Sequence, residues 1–327
     1  MTKKKTTRLT KKKAKQGLDG CTFEIKFKSD NLKDMQKQEL INESGRNYAS
    51  IEIKNGKIIL AIILPKFIRE NNVQPFTLMD SIYLELIKND VEDNLKHILG
   101  TTKLDNICKS IEVNITQKVS GNATVSDVLN LLSNALLSKE QDNLKFVGPS
   151  KKYRLKEEIH TLIHRRNHYY CLKAYDKSEQ MRKSGIKVSD GLLRIEIIMI
   201  ERTLVKLFGN KISFQDVLTK DSLVELLREY KRIFVDEIIE DKVKKYLNSC
   251  KLMLLESLCF SDSAVEVIAK NRELIPDKEV LRKAIKRFQR MKRIADHSGR
   301  DSELYTQKYD LPEDVILTLK EFRDSCG

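Results

Sequence analysis

Two stretches of the chain decide how it folds: Tyr170–Glu179, which reads YCLKAYDKSE, and Gly191–Glu201, which reads GLLRIEIIMIE. Side chains alternate between the two faces of a β-strand, so Arg194 and Glu196 share one face of the second stretch. Aliphatic residues fill nearly every other position, which predicts a strand that is covered on both sides. An arginine and a glutamate in the middle of such a strand are costly unless they are paired or used.

The first stretch carries polar side chains in the same alternation. Lys173, Tyr175 and Lys177 fall on one face, and Asp176 and Glu179 lie beside its end. A tyrosine, several cations and several carboxylates gathered on one sheet are the components from which a metal-assisted phosphoryl-transfer site can be built.

Positive charge is concentrated in two blocks. The formal net charge is +14, and residues 1–15 and the segment Lys278–Arg293 each hold eight lysines and arginines, with one glutamate in the second block and no acid in the first. Such blocks attract polyphosphates, because each phosphate that is neutralised releases counterions. Nucleic acid is therefore one candidate partner. An anionic membrane surface is another, and a solvated tail with a solvated helix face is the third interpretation.

Several protein classes are disfavoured by the composition. The 327 residues, 40% of them hydrophobic, suffice for two domains or one elaborated domain. The longest apolar runs are too short to span a bilayer, and no apolar segment follows the basic N-terminus, so we expect no signal peptide and a cytoplasmic location. Six scattered cysteines without a CxxC pair favour reduced thiols over a zinc ribbon or a disulfide framework.

The spacing of apolar residues predicts an α+β fold, in which a mixed or antiparallel sheet with helices is followed by an all-helical C-terminal region. Strands are predicted at Cys21–Lys28, on both sides of an Asn55-Gly56 turn within Tyr48–Leu64, at Ile107–Val119, on both sides of a turn at His164–Asn167, and at Leu192–Ile200. Helices are predicted at Thr77–Leu99, Val125–Leu137, Ser213–Leu218, Ser222–Ile239, Val243–Leu258, Ser263–Lys270, Lys278–Ala295 and Pro312–Asp324. The expected units are a basic disordered arm at 1–20, an α+β domain at 21–210 and a helical domain at 211–327.

Tyr175 is the candidate nucleophile. A tyrosine hydroxyl can attack a DNA phosphodiester and hold the 5′ phosphate as a covalent ester, which conserves the bond energy for rejoining. The cations available to hold the phosphate are Lys173, Lys177 and Arg194. The hard oxygen ligands suited to Mg²⁺ or Mn²⁺ are Glu112, Glu196 and Asp176, with Glu179 close by. The alternative is a packing tyrosine at a strand end, with Glu112 in a solvent-facing polar stripe.

Further basic residues are candidates for DNA contacts. Arg165 and Arg166 lie in the HRRN turn, near three histidines at His160, His164 and His168 whose spacing allows either a zinc site or exposed, phosphate-contacting side chains. The helix predicted at Lys278–Ala295 has an apolar stripe, and its other faces carry Arg282, Lys283, Lys286, Arg287 and Arg290. The chain contains no Walker A, GxGxxG or kinase signature.

Together these stretches resemble the phage and plasmid rolling-circle replication initiators typified by the gene II protein of filamentous phages. YCLKAYDKSEQM followed by GLLRIEIIMIERTLVKLFG resembles the family's hhhYxK strand, acid and GLLRhE strand. SIEIKNGKIILAIILPKFIRENNVQPFT and CKSIEVNITQKV resemble two upstream blocks of the family, in the same order. The resemblance covers roughly residues 48–210.

The resemblance implies a role for each matching residue. Tyr175 matches the nucleophile, Arg194 and Glu196 match the R-h-E pair, and Glu112 stands where the family usually has aspartate. The chain departs from the family at two positions: Ser110 replaces an arginine, and Glu70 replaces the glycine of the LPK block. It also lacks the His-hydrophobic-His metal motif of many initiators, so carboxylate ligands for Mg²⁺ or Mn²⁺ are our own inference.

The sequence therefore predicts an origin-specific, metal-dependent nickase that starts DNA replication through a covalent 5′-phosphotyrosine intermediate. Origin DNA and the host helicase, single-strand-binding protein and polymerase are the expected partners, without a membrane. Two alternatives stay open: a non-catalytic origin- or operator-binding protein, and a relaxase-like conjugative nickase. The origin sequence, the type of host element and the oligomeric state are not predicted.

Overall fold

The computed structural model describes most of the predicted α+β region and part of the helical region. The described residues are 16–26, 35–54, 57–100, 105–136, 144–147, 161–166, 168–210, 212–246 and 313–326. The basic block at 1–15 and the predicted basic helix at 278–295 lie outside them, so the DNA contacts predicted for that helix stay predictions. Within the described segments, no helix is long and apolar enough to cross a membrane.

A nine-stranded antiparallel sheet organises the fold, and it confirms the predicted α+β class. The strand order is β2-β3-β4-β1-β5-β9-β8-β7-β6, and every neighbouring pair is antiparallel. The strands are β1 Gln16–Lys26, β2 Met35–Ile41, β3 Asn47–Lys54, β4 Lys57–Ile63, β5 Asp105–Lys118, β6 Leu144–Val147, β7 Thr161–Arg166, β8 Tyr170–Asp176 and β9 Leu192–Ile200.

Helices fill the connections and pack on the sheet. They are α1 Leu64–Ile68, a 3-10 helix Leu78–Tyr83 that leads into α2 Leu84–Leu99, α3 Val125–Leu136, α4 Lys177–Lys183, α5 Glu201–Phe208, α6 Phe214–Val217, α7 Lys220–Lys231, a π-helix Arg232–Val243 and α8 Glu313–Ser325. The predicted Thr77 cap is present as a reciprocal capping box with Asp80. Thr124 and Asp127 form the same kind of pair at the start of α3.

The two faces of the central strands differ in polarity. On one face of β9, Leu193, Ile195, Ile197 and Met199 are fully buried. Helix α7 reaches this face, where the Tyr230 hydroxyl donates a hydrogen bond of 3.0 Å to the Ile195 carbonyl. The opposite face carries the polar side chains of β5, β8 and β9. The apolar face of the sheet therefore packs against helices, and the opposite face carries the polar side chains that could form a site.

Residues beyond 211 share this core. Ile212, Leu226, Phe234 and Phe322 belong to the same buried cluster as the strands. Helix α8 also contacts the chain just after β5, where the Thr318 hydroxyl accepts a hydrogen bond of 2.9 Å from the Ser120 backbone N–H. The division into domains at 21–210 and 211–327 stays a prediction, because much of the second unit lies outside the described residues.

Several predicted boundaries differ from the structure. Strand β1 begins at Gln16, inside the predicted arm, because the apolar residue Leu18 is buried against the sheet. The β7–β8 turn follows Arg166, later than predicted, because His164 and Arg165 pair with β8. Helix α4 and strand β2 were not predicted, since one is short and polar and the other has weak alternation.

Gly17 allows a distant segment to lie against β1. The Leu18 N–H donates to the Phe76 carbonyl at 2.9 Å, and the Phe76 N–H returns a bond of 2.7 Å to the Leu18 carbonyl. A Cβ atom added at Gly17 would lie 2.4 Å from the Phe76 carbonyl oxygen. This contact fixes the segment between α1 and the 3-10 helix over the polar face of the sheet.

We expect Gly17→Ala to lower the free energy of unfolding by about 1–3 kcal/mol, because the new methyl group meets rigid backbone. Lys26→Ala is the matched control on the same strand, and as a surface change it should cost at most about 0.5 kcal/mol. Denaturant unfolding of the two variants measures the difference. Equal midpoints would show that the backbone of the 72–76 segment yields easily.

Candidate functional site

The predicted catalytic residues meet on the polar face of the sheet, where three strands lie side by side. Tyr175 on β8 is directly opposite Arg194 on β9, and Lys173 is directly opposite Glu196. On the other side of β9, Thr116 of β5 is opposite Arg194. The register therefore brings the tyrosine, the cations and the carboxylates of both quoted stretches into one cluster.

The Tyr175 hydroxyl is held by a carboxylate. It donates a hydrogen bond of 2.6 Å to Glu196 Oε1, and the residue is only 5% exposed. Burial and the negative charge of Glu196 raise the pKa of Tyr175 well above its ordinary value. Two ammonium groups lie over its ring, with Lys173 Nζ at 4.8 Å and Lys177 Nζ at 5.9 Å from the centroid. The hydroxyl is therefore neutral, oriented and next to a proton acceptor.

Arg194 is the most buried charge of the cluster, with no exposed side-chain surface. Its Nε donates 2.7 Å to Thr116 Oγ1, and its Nη1 donates 3.2 Å to Asp19 Oδ2 and lies 3.7 Å from Glu196 Oε1. Its Nη2 donates to the Val73 carbonyl at 2.8 Å and to the Asn72 carbonyl. Each of its N–H groups thus faces an acceptor, as a buried guanidinium requires.

Lys177 closes the cluster from the start of α4. Its Nζ donates 2.7 Å to Gln180 Oε1 and 3.1 Å to Asn72 Oδ1, and the residue is almost fully buried. Burial and the nearby Arg194 charge lower the pKa of Lys177 to about 8. Near neutral pH this amine is close to losing its proton, which suits a group that exchanges protons or meets an anionic substrate.

Asp19 and Glu112 add two carboxylates from β1 and β5. The strands pair with a bulge between Leu18 and Gly20, which turns Asp19 toward Arg194. Burial raises the pKa of Asp19. Burial, together with the charges of Glu196 and Asp19, raises the pKa of Glu112 to about 7. These carboxylates repel each other, so the site favours a proton or a cation between them.

The carboxylates differ in how fully they are used. Glu196 already accepts from Tyr175 and forms ion pairs with Arg194 and Lys173, the latter at 3.5 Å. Asp176 caps α4 by accepting 3.0 Å from the Glu179 N–H. Among the residues that the structure describes, no group of three His, Cys, Asp or Glu side chains is arranged to hold a metal ion.

Asp19 and Glu112 carry the hard oxygen atoms that a divalent cation prefers. Asp19 Oδ1 and both side-chain polar atoms of Asn114 are buried without a hydrogen-bond partner in the described structure. Buried polar atoms are nearly always paired, so these oxygens suit an added ligand. Mg²⁺ is commonly held by one or two carboxylates, with water and substrate phosphate completing its shell. Asp19 was not predicted as a site residue, because residues 1–20 were assigned to a disordered arm. The nearby Gly17 and Gly20 could have indicated an irregular strand at this position.

The predicted DNA-contact residues of the β7–β8 hairpin fall on opposite faces. Arg165 is opposite Cys171, on the face that carries Tyr175, whereas Arg166 is opposite Tyr170 and forms an ion pair with Glu237 on the other face. His164 is buried and His168 is exposed in the turn, so these two do not converge; His160 lies outside the described residues.

Comparisons with known proteins find similarity at the level of structure. No family model matches the chain, and no curated protein matches it. Among solved structures, the chain is similar to the rolling circle replication initiator protein from Geobacillus stearothermophilus. The TM-score is 0.33 with 12% identity, over 67% of this chain and 84% of that chain. A similarity this low carries no functional argument, and the resemblance to gene II proteins stays a prediction.

We expect Glu112→Gln to change the pH dependence of stability. The folded-state pKa of about 7 lies above the ordinary 4.5, so the wild type loses stability as pH rises through this window. Glutamine does not ionise, so the variant does not lose stability in this way. The difference in melting temperature, variant minus wild type, should therefore increase as pH rises from about 4.5 to about 7. Thermal melts across this range measure the effect. Glu39→Gln, at an exposed position on β2, is the control and should run parallel to wild type.

Proposed function

We propose that the chain is a DNA replication initiator that nicks and rejoins one strand at an origin through a covalent bond to Tyr175. The observation that carries the proposal is the 2.6 Å hydrogen bond from the Tyr175 hydroxyl to Glu196, within a cluster that also holds Lys173, Lys177 and Arg194. A nucleophile, a proton acceptor and three cations are the groups that attack on a phosphodiester requires.

The proposed reaction exchanges one ester for another. The Tyr175 oxygen forms a bond to phosphorus while the bond from phosphorus to the 3′ oxygen breaks. The proton of the hydroxyl passes to Glu196, and the departing 3′ oxygen takes up a proton to become a hydroxyl. Lys177, with its lowered pKa, is placed to supply that proton. The 3′ hydroxyl can then prime a polymerase, and the reverse reaction rejoins the strand.

The cationic side chains have different roles in the proposed reaction. Lys173 is the more exposed of the two lysines and is suited to meet the incoming phosphate. Arg194 is fixed by five acceptors, so it stabilises charge by position rather than by movement. Mg²⁺ or Mn²⁺, when held by Asp19 and Glu112, would neutralise phosphate charge beside them. Asp176 and Glu196, which the sequence also offered as ligands, have other partners in the structure.

We expect Tyr175→Phe to abolish covalent attachment to DNA. The test incubates single-stranded and supercoiled origin DNA with Mg²⁺ or Mn²⁺ and looks for a 5′ end that carries protein through a denaturing gel. Tyr170→Phe is the matched control, because that hydroxyl bonds to Glu237 on the opposite face.

The outcomes of this test separate the candidate functions. Capture by wild type and Tyr170→Phe, but not by Tyr175→Phe, supports the proposal. Capture by all three moves the nucleophile to another tyrosine. Binding of a verified origin without any cutting favours the non-catalytic binder. Cutting confined to a transfer origin would favour the conjugative nickase.

The metal assignment is tested on the protein without DNA. Mn²⁺ should raise the melting temperature of the wild type, because a ligand that binds only the folded state stabilises it. Asp19→Asn and Glu112→Gln should each lose most of this rise. Asp176→Asn should retain it, since asparagine still caps a helix and the proposed ligands are untouched. If only Asp176→Asn lost the Mn²⁺-dependent increase in melting temperature, the metal ligand would be Asp176, as the sequence predicted, and not Asp19 or Glu112.

A further inference from the structure

A cavity opens at the far end of β8 from Tyr175. It has a volume of about 710 Å³ and is lined by Lys109, His168, Tyr169, Glu201, Arg202 and Lys206, with Ile200 and Val205. None of these residues belongs to the cluster around Tyr175. Cations outnumber acids in the lining, and one aromatic ring stands among them.

Tyr169 supplies an exposed phenol ring to this cavity from a fixed backbone. The residue is 46% exposed. Among the described residues, it is the one aromatic residue in the set of exposed large hydrophobic residues. Its backbone is fixed on both sides: its N–H donates 2.9 Å to the Arg166 carbonyl, and its carbonyl accepts from the Ile200 N–H at 3.2 Å and from the Thr203 hydroxyl at 2.6 Å. Because the backbone is fixed, stacking of a flat ligand on the ring restricts only the side-chain torsions of Tyr169.

The backbone before Tyr169 is held in an unusual conformation. His168 has a φ of 62°, in the left-handed region that residues other than glycine seldom adopt. Such strain persists only where surrounding contacts impose it, and it clusters at ligand sites. Here the imposed contacts are those that fix Tyr169.

Cations for a phosphate stand beside the ring. Arg202 and Lys206 are exposed on successive turns of α5, and neither forms an ion pair within the described residues. Lys109 is shared between Glu24 at 3.6 Å and Glu201 at 3.4 Å, so it is already neutralised. Arg202 and Lys206 are thus the cations with charge available to a ligand.

The cavity and Tyr175 lie on the same face of the sheet. Cys171, Lys173 and Tyr175 lie along one side of β8, opposite Arg194 and Glu196 of β9. Ile200, which lines the cavity, lies on that same face of β9. At about 3.3 Å per residue, Tyr169 and Tyr175 are about 20 Å apart. An extended strand of a few nucleotides spans this distance and passes over Lys173, with Arg165 beside it.

We propose that this cavity binds one base of single-stranded DNA a few nucleotides from the scissile phosphate, stacked on Tyr169, with the phosphate of that nucleotide on Arg202 and Lys206. The inference rests on the proposed nicking function and adds where the strand runs. A single exposed ring suits single-stranded DNA, because an unpaired base offers its face and a duplex hides it.

The test replaces the bases of an origin oligonucleotide one at a time by abasic sites and measures affinity by fluorescence anisotropy. One abasic position, a few nucleotides from the nick, should weaken wild-type binding by roughly tenfold or more, as expected for one lost stack. Tyr169→Ala should weaken binding of the intact oligonucleotide by the same factor and should show no further loss at that position. Tyr169→Phe, which retains the ring, should behave as wild type.

Two controls separate this inference from the proposed function. All binding is measured in the Tyr175→Phe background, where no covalent product forms. The abasic-site measurements can therefore be read even if the wild type proves unable to nick DNA. Leu86→Ala removes an exposed apolar side chain that is not in the cavity and should leave the scan unchanged. Equal abasic profiles for Tyr169→Ala and wild type would overturn the inference even if nicking is found.

A free nucleotide offers the same base-plus-phosphate chemistry, so a competition arm distinguishes the two sources. A mononucleotide should fail to displace the oligonucleotide at concentrations far above the oligonucleotide Kd, because one stack alone is weak. Displacement that disappears in Tyr169→Ala would overturn the assignment to a DNA strand. Arg202→Ala should flatten the salt dependence of oligonucleotide binding by about one phosphate contact, and an unchanged slope would count against the phosphate assignment.

Discussion

The buried guanidinium of Arg194 is the constraint on which the rest of the structure depends. A charge in the middle of a covered strand is tolerated only when its donors are satisfied, and here they reach four separate elements: β1, β5, β9 and the segment at Asn72 and Val73. Removing such a partner typically costs about 3–5 kcal/mol, because the remaining charges stay buried. The same contacts that make Arg194 tolerable also assemble the site.

The assembled site buries positive and negative side chains at a cost in solvation free energy. Lys173, Lys177 and Arg194 face Asp19, Glu112 and Glu196 at short range, and the lowered pKa of Lys177 and raised pKa of Glu112 record the cost of burying them. A phosphate would complement the cations and a divalent ion would complement the carboxylates. Under the proposed function, binding of DNA together with a metal would balance both sets of charges at once and would couple substrate binding to the arrangement around Tyr175.

Strand alternation lets neighbouring residues serve different purposes. Arg165 and Cys171 lie on the face that carries the site, whereas Tyr170 and Arg166 point to the other face and contact Glu237. Tyr170 and Arg166 connect β7 and β8 to the π-helix, and Arg165 stays exposed. One hairpin thus contributes both to the support of the sheet and to the surface over which a DNA strand would pass.

The sequence by itself determined the α+β class, β9 at Leu192–Ile200 and the cluster of Tyr175, Arg194 and Glu196, because the period of two that a strand imposes is a local property. Only the tertiary structure decided which buried carboxylate oxygen, Asp19 Oδ1, is left without a partner and which segment covers the site. Asp19 lies in a bulge and Asn72 in a segment without periodicity, and each reaches Arg194 across more than a hundred residues of chain. Such contacts follow from which surfaces bury one another, and that information is not carried by any single stretch of sequence.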